Sequence, residues 1–428
     1  MSSELFGNQD PFCEPSYCQG IASPYYSDSH RKLRQYVRNF VENELAPHAE
    51  EWEEAGKVPA DLFAKFVAGG FVGPGIPCKY RGGARMPADI EAWDIFHELI
   101  MSDELARTPR LGPLWAVSSG NRIALPLIAA FGSEEQRSTW LPAACTGRSR
   151  FCLAVTEPDG GSDVANLTTT AERTSPDLFK VNGQKKWITN GIFADYAVTA
   201  VRTGGPGVKG ISVLLVPLKA EGVLLKKMRN SGVEASGSTF IDFEDVVVPV
   251  ANLLGSENEG FKVLMSNFDA ERLGLAISGL RVARTCLSEA YTHATSRRTF
   301  GKFLIEHDII RAKFAELARL IEAQHAWHEQ LCFEVKTNGY KGISGRIGLA
   351  KVQSSLILER ACREAQQVFG GLAFSKGGRG GVVEQIARDL RVYVVGGGSA
   401  EILEGQGFKL EMKESARRKE KERAVSKL

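Results

Sequence analysis

One stretch of this chain places charge where apolar side chains are expected. Phe261, Leu264, Met265 and Phe268, then Leu275, Ala276 and Gly279, recur at helical spacing and define one apolar face. At 100° per residue, Arg272 falls in the middle of that stripe and Glu271 at its edge. A charged group on an apolar face is costly unless it is paired or faces a polar ligand. Spacing alone leaves two readings open. Glu271 and Arg272 form a structural arrangement satisfied by neighbours, or Glu271 lines a buried pocket whose desolvation raises its proton affinity into the range of a general base. Ser256-Glu257-Asn258-Glu259 fits an S-x-x-E capping box, so the helix is expected to begin there.

Other reactive groups carry less. Glu322-x-x-His325 is half of a di-iron bundle motif, and no second copy follows on another segment. His325 and His328 are therefore expected as ordinary helix-face histidines, and no metal is expected. Cys13, Cys18, Cys78, Cys145, Cys152, Cys286, Cys332 and Cys362 are scattered without C-x-x-C or zinc spacing, and are expected as isolated buried thiols. No G-x-G-x-x-G follows a strand and no P-loop occurs, so phosphate-cradling Rossmann and P-loop sites are excluded. The glycine clusters at 377–381 and 396–398 read as turns around helix ends.

The first 25 residues contain Glu4, Asp10 and Glu14 and no Arg or Lys, unlike a mitochondrial presequence, and no signal peptide is expected. Ser426-Lys427-Leu428 reads as a peroxisomal import address, which implies an import receptor as partner and a peroxisomal location. From Lys409 to Arg423 seven basic and four acidic residues read as an exposed helix or tail.

The elements that must position Glu271 follow from length and pattern. The 428 residues suggest about three domains. Hydrophobic residues at 43% and charged residues at 24% match an ordinary globular protein with a large core. A net charge of +2 argues against nucleic-acid partners, and no apolar run of bilayer-spanning length is expected. Residues 30–147 show helical period, including Ala88 to Leu105 and Asn121 to Phe131. Short β-rich runs then appear at Phe151 to Val155, Tyr196 to Val201, Ile211 to Val216 and Phe240 to Val248. From Ser256 to about Arg363 the period is helical again, in three long segments. Helices, a β block, then helices make an α+β chain.

The β block and its flanks carry a family resemblance. Val155-Thr156-Glu157-Pro158-Asp159-Gly160-Gly161-Ser162-Asp163 resembles the V-T-E-P-x-x-G-S-D signature of the acyl-CoA dehydrogenases. Lys186-Trp187-Ile188-Thr189-Asn190-Gly191 resembles their K-x-W-I-T-N-G strand. Arg297-Arg298-Thr299-Phe300-Gly301-Lys302 resembles R-x-T-F-G, and Gln367-Val368-Phe369-Gly370-Gly371 resembles Q-x-F-G-G. Phe131-Gly132-Ser133-Glu134-Glu135-Gln136 is similar to the helix that precedes the family's β domain. The five motifs stand in order across roughly residues 28–410.

The resemblance implies a helical N-terminal domain, a central β-barrel-like domain and a C-terminal four-helix bundle. Its divisions would be a 1–27 extension, 28–150 helical, 151–255 β, 256–412 helical, and a 413–428 tail. It implies FAD between the β domain and the bundle, and a homodimer or homotetramer in which a neighbouring subunit closes the site. Leu153, Val155, Thr156, Ser162, Trp187, Thr189, Arg297, Thr299, Gln367, Gly371, Ser399 and Glu401 take cofactor-binding roles by that resemblance. Ser162, Asp269, Arg272 and Gly398 take substrate-binding roles. The implied reaction removes the α-proton of an acyl-CoA thioester while the β-hydride passes to flavin N5, giving a trans-2-enoyl-CoA. It would serve fatty-acid degradation or a specialised-metabolite pathway, such as one building a toxin acyl chain.

This chain departs from the commoner pattern at the base. Most members carry the carboxylate in a C-terminal Y-E-G-T stretch, and here that position is Gly397. Isovaleryl- and long-chain-type members place it on the helix in E-R-L-x-L-A, and this chain has Glu271-Arg272-Leu273-Gly274-Leu275-Ala276. Glu271 is thus the base by resemblance, and it is the residue that the polarity pattern singles out. The backbone N–H of Gly397 is left to donate to the thioester oxygen. Gly371-Leu372-Ala373-Phe374, the glycine-rich 376–381 segment and Glu401 also depart from the family pattern. A peroxisomal acyl-CoA oxidase and a non-catalytic flavin-binding scaffold are the competing expectations.

Overall fold

The structure, a computed structural model, describes residues 5–425; Ser426, Lys427 and Leu428 lie outside the described residues. The chain opens with α1 (Asp28–Phe40), α2 (Ala49–Ala55), α3 (Ala60–Ala68), α4 (Ile95–Leu105), α5 (Leu111–Phe131) and α6 (Glu134–Cys145). Eight strands follow: β1 (Phe151–Ala154), β2 (Thr170–Ser175), β3 (Leu178–Ile188), β4 (Tyr196–Arg202), β5 (Ile211–Pro217), β6 (Val223–Lys227), β7 (Thr239–Pro249) and β8 (Leu253–Leu254). Then come α7 (Gly260–Ser296) and a hairpin of β9 (Arg298–Thr299) and β10 (Lys302–Phe303). The chain ends with α8 (Asp308–Asn338), α9 (Ser344–Phe369), α10 (Gly381–Val395) and α11 (Ala400–Val425). The α+β class holds. The cysteines are free and buried, as expected, for all but the exposed Cys78.

Internal contacts divide the chain into two units. One holds residues up to Val41, Asp94–Pro109 and everything from Asp269; the other holds Glu42–Trp93 and Arg110–Phe268. Helices α1 and α4 therefore fold with the C-terminal helices, while α2, α3, α5 and α6 fold with the sheet. The division falls inside α7, between Phe268 and Asp269.

The helical unit is tied together by buried charge. Glu14, on the segment ahead of α1, is 1% exposed and pairs with Arg38 of α1, with Arg107 and with Arg281 of α7. Glu104 takes a second face of Arg38 at 2.5 Å, and Asp103 takes Arg281 at 2.5 Å. Burial opposes ionisation of Glu14, but the three guanidiniums outweigh it and hold its carboxyl below the usual range. The residues expected as an N-terminal extension are thereby built into the core of this unit.

Two helix starts in the same unit share a histidine device. Ser27 caps α1 and Asp94 caps α4, each with a histidine (His30 and His97) three residues on in a capping box. Asp94 Oδ1 also joins them, 3.0 Å from His30 Nε2 and 2.8 Å from His97 Nδ1. The three residues have metal-ligand chemistry, their ligand atoms within 4.8 Å of one another, and the two imidazoles stack with centroids 3.8 Å apart as both turn a nitrogen to Asp94 Oδ1. His30 Nδ1 accepts the Ser27 N–H at 3.0 Å, which leaves its Nε2 as a donor. This is a capping device. It also corrects the helical stretch expected from Ala88: Ala88 and Asp89 stand at positive φ, and α4 starts only at Ile95.

In the other unit the strands run β6-β7-β3-β2-β4-β5-β8, with β1 pairing parallel to β4. Phe179, Val181, Ile188, Ala197, Val201, Leu214, Val216, Ile241 and Phe243 make its apolar core. Strand β3 is legible only through its motif, because Gly183 and Lys185 stand in its buried phase with Phe179 and Val181 and a bulge between Lys185 and Ile188 then shifts that phase. The expected capping box at Ser256 is not the helix start. Asn258 is at φ +66 with its N–H on the Ser212 hydroxyl, and α7 begins at Gly260, where a Cβ would lie 2.6 Å from the Ser212 backbone. Close approach to β5 overrides the local cap signal.

Helix α5 corrects a further expectation. Its 21 residues are long and apolar enough to cross a membrane by length and composition. Half of that window is buried within the protein, and α5 packs on β1 and α6. Gly120 permits the approach to β1, since a Cβ there would lie 2.4 Å from Phe151 O. Asn190, at φ +64 in the strand-end motif, locks this contact. Its amide accepts from Gly120 N at 2.7 Å and donates to Trp115 O and Ser236 O at 2.9 and 2.7 Å. Asn190→Ala removes three buried hydrogen bonds and is expected to cost about 1–3 kcal/mol, read as a lower urea midpoint.

Candidate active site

In the sheet unit, the V-T-E-P turn is anchored from below. Glu157 is buried and accepts from Thr168 N, the Thr168 hydroxyl and Thr169 N at 2.6, 2.7 and 2.9 Å. Lys185, 0% exposed on β3, donates to Glu157 Oε1 at 2.8 Å and to Val155 O at 3.1 Å. Burial raises the cost of both charges. For Glu157 the ammonium and the threonine donors win, holding it at about 2; for Lys185 burial wins, and the ammonium is pulled to about 8. The pair was not anticipated, yet Lys185 stands in the buried phase of β3 with Phe179 and Val181, a polarity violation like that of Glu271.

That anchor fixes what lies above it. Lys186 N donates to Thr156 O at 2.9 Å, which sets the end of β3 against Thr156. Trp187 occupies φ +58 at the bulge and turns its indole outward, 49% exposed. Thr156 and Thr189 are half-buried nearby in sequence and strand, and Val155 is half-buried beside them. Leu153 lies within β1, 9% exposed and paired with Val198; Ser162 is exposed on the turn. An uncovered indole, with half-buried threonines on the adjoining turn and strand end, fits a flat heteroaromatic ring with a hydrogen-bonding rim, which is what an isoalloxazine presents.

In the helical unit, Glu271 is the group out of place. Its Oε2 is sealed from solvent and has no hydrogen-bond partner among the described residues. Burial pushes its carboxyl up to about 7, against the opposing pull of Arg272 and Lys351. Arg272 donates to Gly397 O at 2.8 Å and lies 3.8 Å from Asp269, whose other oxygen takes the Ser344 hydroxyl at 2.5 Å. Burial raises the Asp269 carboxyl, opposed by Ser344 and Arg272. The Gly396–Ser399 loop faces this cluster. Gly397 and Gly398 take φ +68 and +108, and a Cβ on Gly397 would meet Leu275 at 3.1 Å. Ser399 and Glu401 begin α11, where Glu401's own N–H and the Ser399 hydroxyl hold its carboxyl below the usual range.

A further group of expected residues gathers at the other end of α7. Arg297 and Thr299 form the β9–β10 hairpin region, and Gln367 and Gly371 end α9. His293 stacks on Phe369 at 4.5 Å and brings these two segments together. All four are exposed or half-exposed, and Phe300 and Phe374 beside them are 96% and 92% exposed. From Glu271 to the end of α7 the unbroken helix runs roughly 37 Å, at about 1.5 Å per residue. The two groups do not meet within one chain.

Comparison with known proteins finds matches along most of the chain. Family models described as the N-terminal, middle and C-terminal domains of acyl-CoA dehydrogenase match residues 27–148, 152–246 and 258–408. Acyl-CoA dehydrogenase AFT10-1 of Alternaria alternata is 43% identical over 425 residues, 96% of this chain and 98% of its own. Acyl-CoA dehydrogenase apdG of Emericella nidulans is 39% identical over 407 residues, 92% of this chain and 93% of its own. The crystal structure of a probable acyl CoA dehydrogenase from Mycobacterium abscessus superposes with a TM-score of 0.83 at 34% identity, covering 91% of this chain and 99% of that one. The chain belongs to the acyl-CoA dehydrogenase family. It is accordingly an oxidoreductase of the acyl-CoA dehydrogenase type, with FAD as its cofactor.

Proposed function

We propose that this chain catalyses the α,β-dehydrogenation of an acyl-CoA thioester to the trans-2-enoyl-CoA, with Glu271 as the base that removes the α-proton. The observation that carries this reading is the sealed, unpartnered Oε2 of Glu271, whose proton affinity burial brings to about 7. A carboxyl so poised takes a proton at neutral pH and returns it readily. Bound FAD supplies the two-electron acceptor for the β-hydride. Thr156, Trp187 and Thr189 would hold its ring, with Leu153, Val155 and Ser162 on the same strand and turn. The backbone N–H of Gly397 donates to the thioester oxygen, where negative charge develops. Asp269, Arg272 and Gly398 act as the substrate-side wall; Arg272 holds that wall through Gly397 O.

We propose a homodimer or homotetramer, and the same separation along α7 supports it. Arg297, Thr299, Gln367 and Gly371, roughly 37 Å of helix away from Glu271, would serve the cofactor of a neighbouring copy, with Ser399 and Glu401 beside the chain's own. The decisive experiment is anaerobic mixing of the FAD-loaded protein with a panel of acyl-CoAs while the flavin absorbance is followed. Bleaching identifies the substrate class, and peroxide released in proportion to product on readmitting air would make the chain an oxidase. Silence across the panel would leave a flavin-binding scaffold.

We further propose a peroxisomal location, on the terminal Ser426-Lys427-Leu428. The end of α11 supports it, since residues 416–424 are all exposed to a receptor. A fluorescent protein fused ahead of the chain is expected in peroxisomes, and spread through the cytosol once the last three residues are deleted.

A further inference from the structure

Lys351 stands in the middle of α9, 1% exposed, on a face otherwise built from Ile347, Ala350, Ser354 and Ser355. Neither the polarity pattern around Glu271 nor the family motifs single it out. Its ammonium donates to Val394 O and to Gly398 O, each at 2.8 Å. One turn on, the Ser355 hydroxyl donates to Tyr393 O at 3.1 Å. From α7, Arg272 donates to Gly397 O at 2.8 Å. Carbonyls of residues 393, 394, 397 and 398 thus end on two cations and one hydroxyl, all supplied by α7 and α9.

The contacts have two physical consequences. A planar trans peptide points its C=O and N–H in opposite directions. With Gly397 O turned onto Arg272 and Gly398 O onto Lys351, the N–H groups of Gly398 and Ser399 are directed away from the cations. Gly397 and Gly398, free of side chains and at positive φ, have no steric preference that would set these planes alone. The cations set them. The second consequence is electrostatic. Glu271 Oε2 accepts no hydrogen bond among the described residues, so nearby positive charge is what favours ionisation at that oxygen. The charges that act on it are Arg272 from its own helix and Lys351 from α9. Arg272 is shared with Asp269, 3.8 Å away, whereas no ion-pair partner of Lys351 occurs among the described residues.

We propose that Lys351 is a positioning residue for this reaction: with Arg272 it clamps the Gly396–Ser399 loop beside Glu271 and supplies the positive charge against which Glu271 ionises. The proposal rests on Glu271 being the base. It gives the loop that lacks the family's usual carboxylate a defined task, as a wall of oriented peptide groups.

Three variants separate the charge from the clamp. Lys351→Arg keeps the charge, Lys351→Gln keeps a donor without charge, and Lys351→Met removes both. Each is loaded with FAD, its cofactor content and melting curve are recorded, and the rate of anaerobic bleaching by an acyl-CoA is measured against pH. In Gln and Met the acidic limb of the profile is expected to move up by about one pH unit, a tenfold loss of rate at pH values below it. In Met the plateau at high pH also falls, by about tenfold or more, as the loop slackens. Arg keeps the wild-type limb. An unshifted limb in folded, FAD-loaded Gln and Met variants, with Glu271→Gln inert, overturns the role of Lys351 alone. Equal bleaching by Glu271→Gln and wild type overturns the base and this proposal together. Failure of Gln and Met to fold while Arg folds would make Lys351 a structural residue, and that too overturns it.

Discussion

Glu271→Gln is expected to lower the rate of flavin bleaching by an acyl-CoA by roughly 10²–10⁴-fold, the usual contribution of a positioned base. Glutamine preserves the shape of the side chain and its place on α7 but has no oxygen that takes a proton. Wild-type activity should depend on pH in one direction. Burial holds the Glu271 carboxyl at about 7, so the rate rises about tenfold per pH unit below that value and levels from there to about 8, where burial makes the Lys351 ammonium give up its charge. A stability effect of opposite sense accompanies the loss of activity. The folded carboxyl binds its proton more tightly than the unfolded one, whose ordinary value is 4.5. As pH rises from about 4.5 to about 7 the unfolded chain gives up this proton first, and the folded state is progressively disfavoured. Glutamine removes that cost. Melting curves should show the variant gaining on wild type across this window, by roughly 2–4 kcal/mol at neutral pH and by nothing below pH 4. A variant that bleaches like wild type, or that melts in parallel with it at every pH, would remove Glu271 from the mechanism.

Glu157→Gln should be the most damaging single change to the cofactor side. Lys185 is fully buried, and Glu157 is its carboxylate partner at 2.8 Å. Removing one member of a buried pair leaves an uncompensated charge and costs about 3–5 kcal/mol. For a domain of this size that corresponds to a fall of roughly 6–20 °C in Tm. Because Glu157 also receives the Thr168 and Thr169 N–H groups, the turn that carries Thr156 and Ser162 loosens with it. FAD occupancy should fall alongside Tm. Combining Glu157→Leu with Lys185→Met removes both charges and should recover part of the stability, but not the occupancy, since the threonine donors remain unmatched. Retention of full FAD content at unchanged Tm in Glu157→Gln would show that the pair does not support the turn.

Much of this protein is legible in local sequence, because the signals involved are short-range. Strands β1, β4, β5 and β7 announce themselves as apolar runs between turn residues, since nearly all of their side chains or one face are buried. Strands β2 and β6 are short and half-exposed, and their Thr-Ala-Glu-Arg-Thr-Ser and Val-Leu-Leu-Lys-Lys sequences carry no clear alternation. Glu271 was visible as a charge in an apolar stripe, which is a property of one helix. Lys185 obeyed the same logic on a strand, in the buried phase of Phe179 and Val181, but Gly183 between them left the apolar alternation too short to stand out.

By itself the sequence determined the family motifs, the α+β order of elements and the residue most suited to act as base, each from patterns within one or two turns of chain. Tertiary structure alone decided which elements pack together. It placed α1 and α4 with the C-terminal helices and α2, α3, α5 and α6 with the sheet, although the chain order suggested one N-terminal helical block. It drew the segment ahead of α1 into the core through Glu14, and it moved the start of α7 from Ser256 to Gly260 by packing against β5. It also brought Lys351 from α9 and Arg272 from α7 onto one glycine loop. The reason is common to all of these. A capping box or an amphipathic stripe is set by neighbours in sequence, whereas an ion pair or a glycine contact is set by residues as many as 267 positions apart.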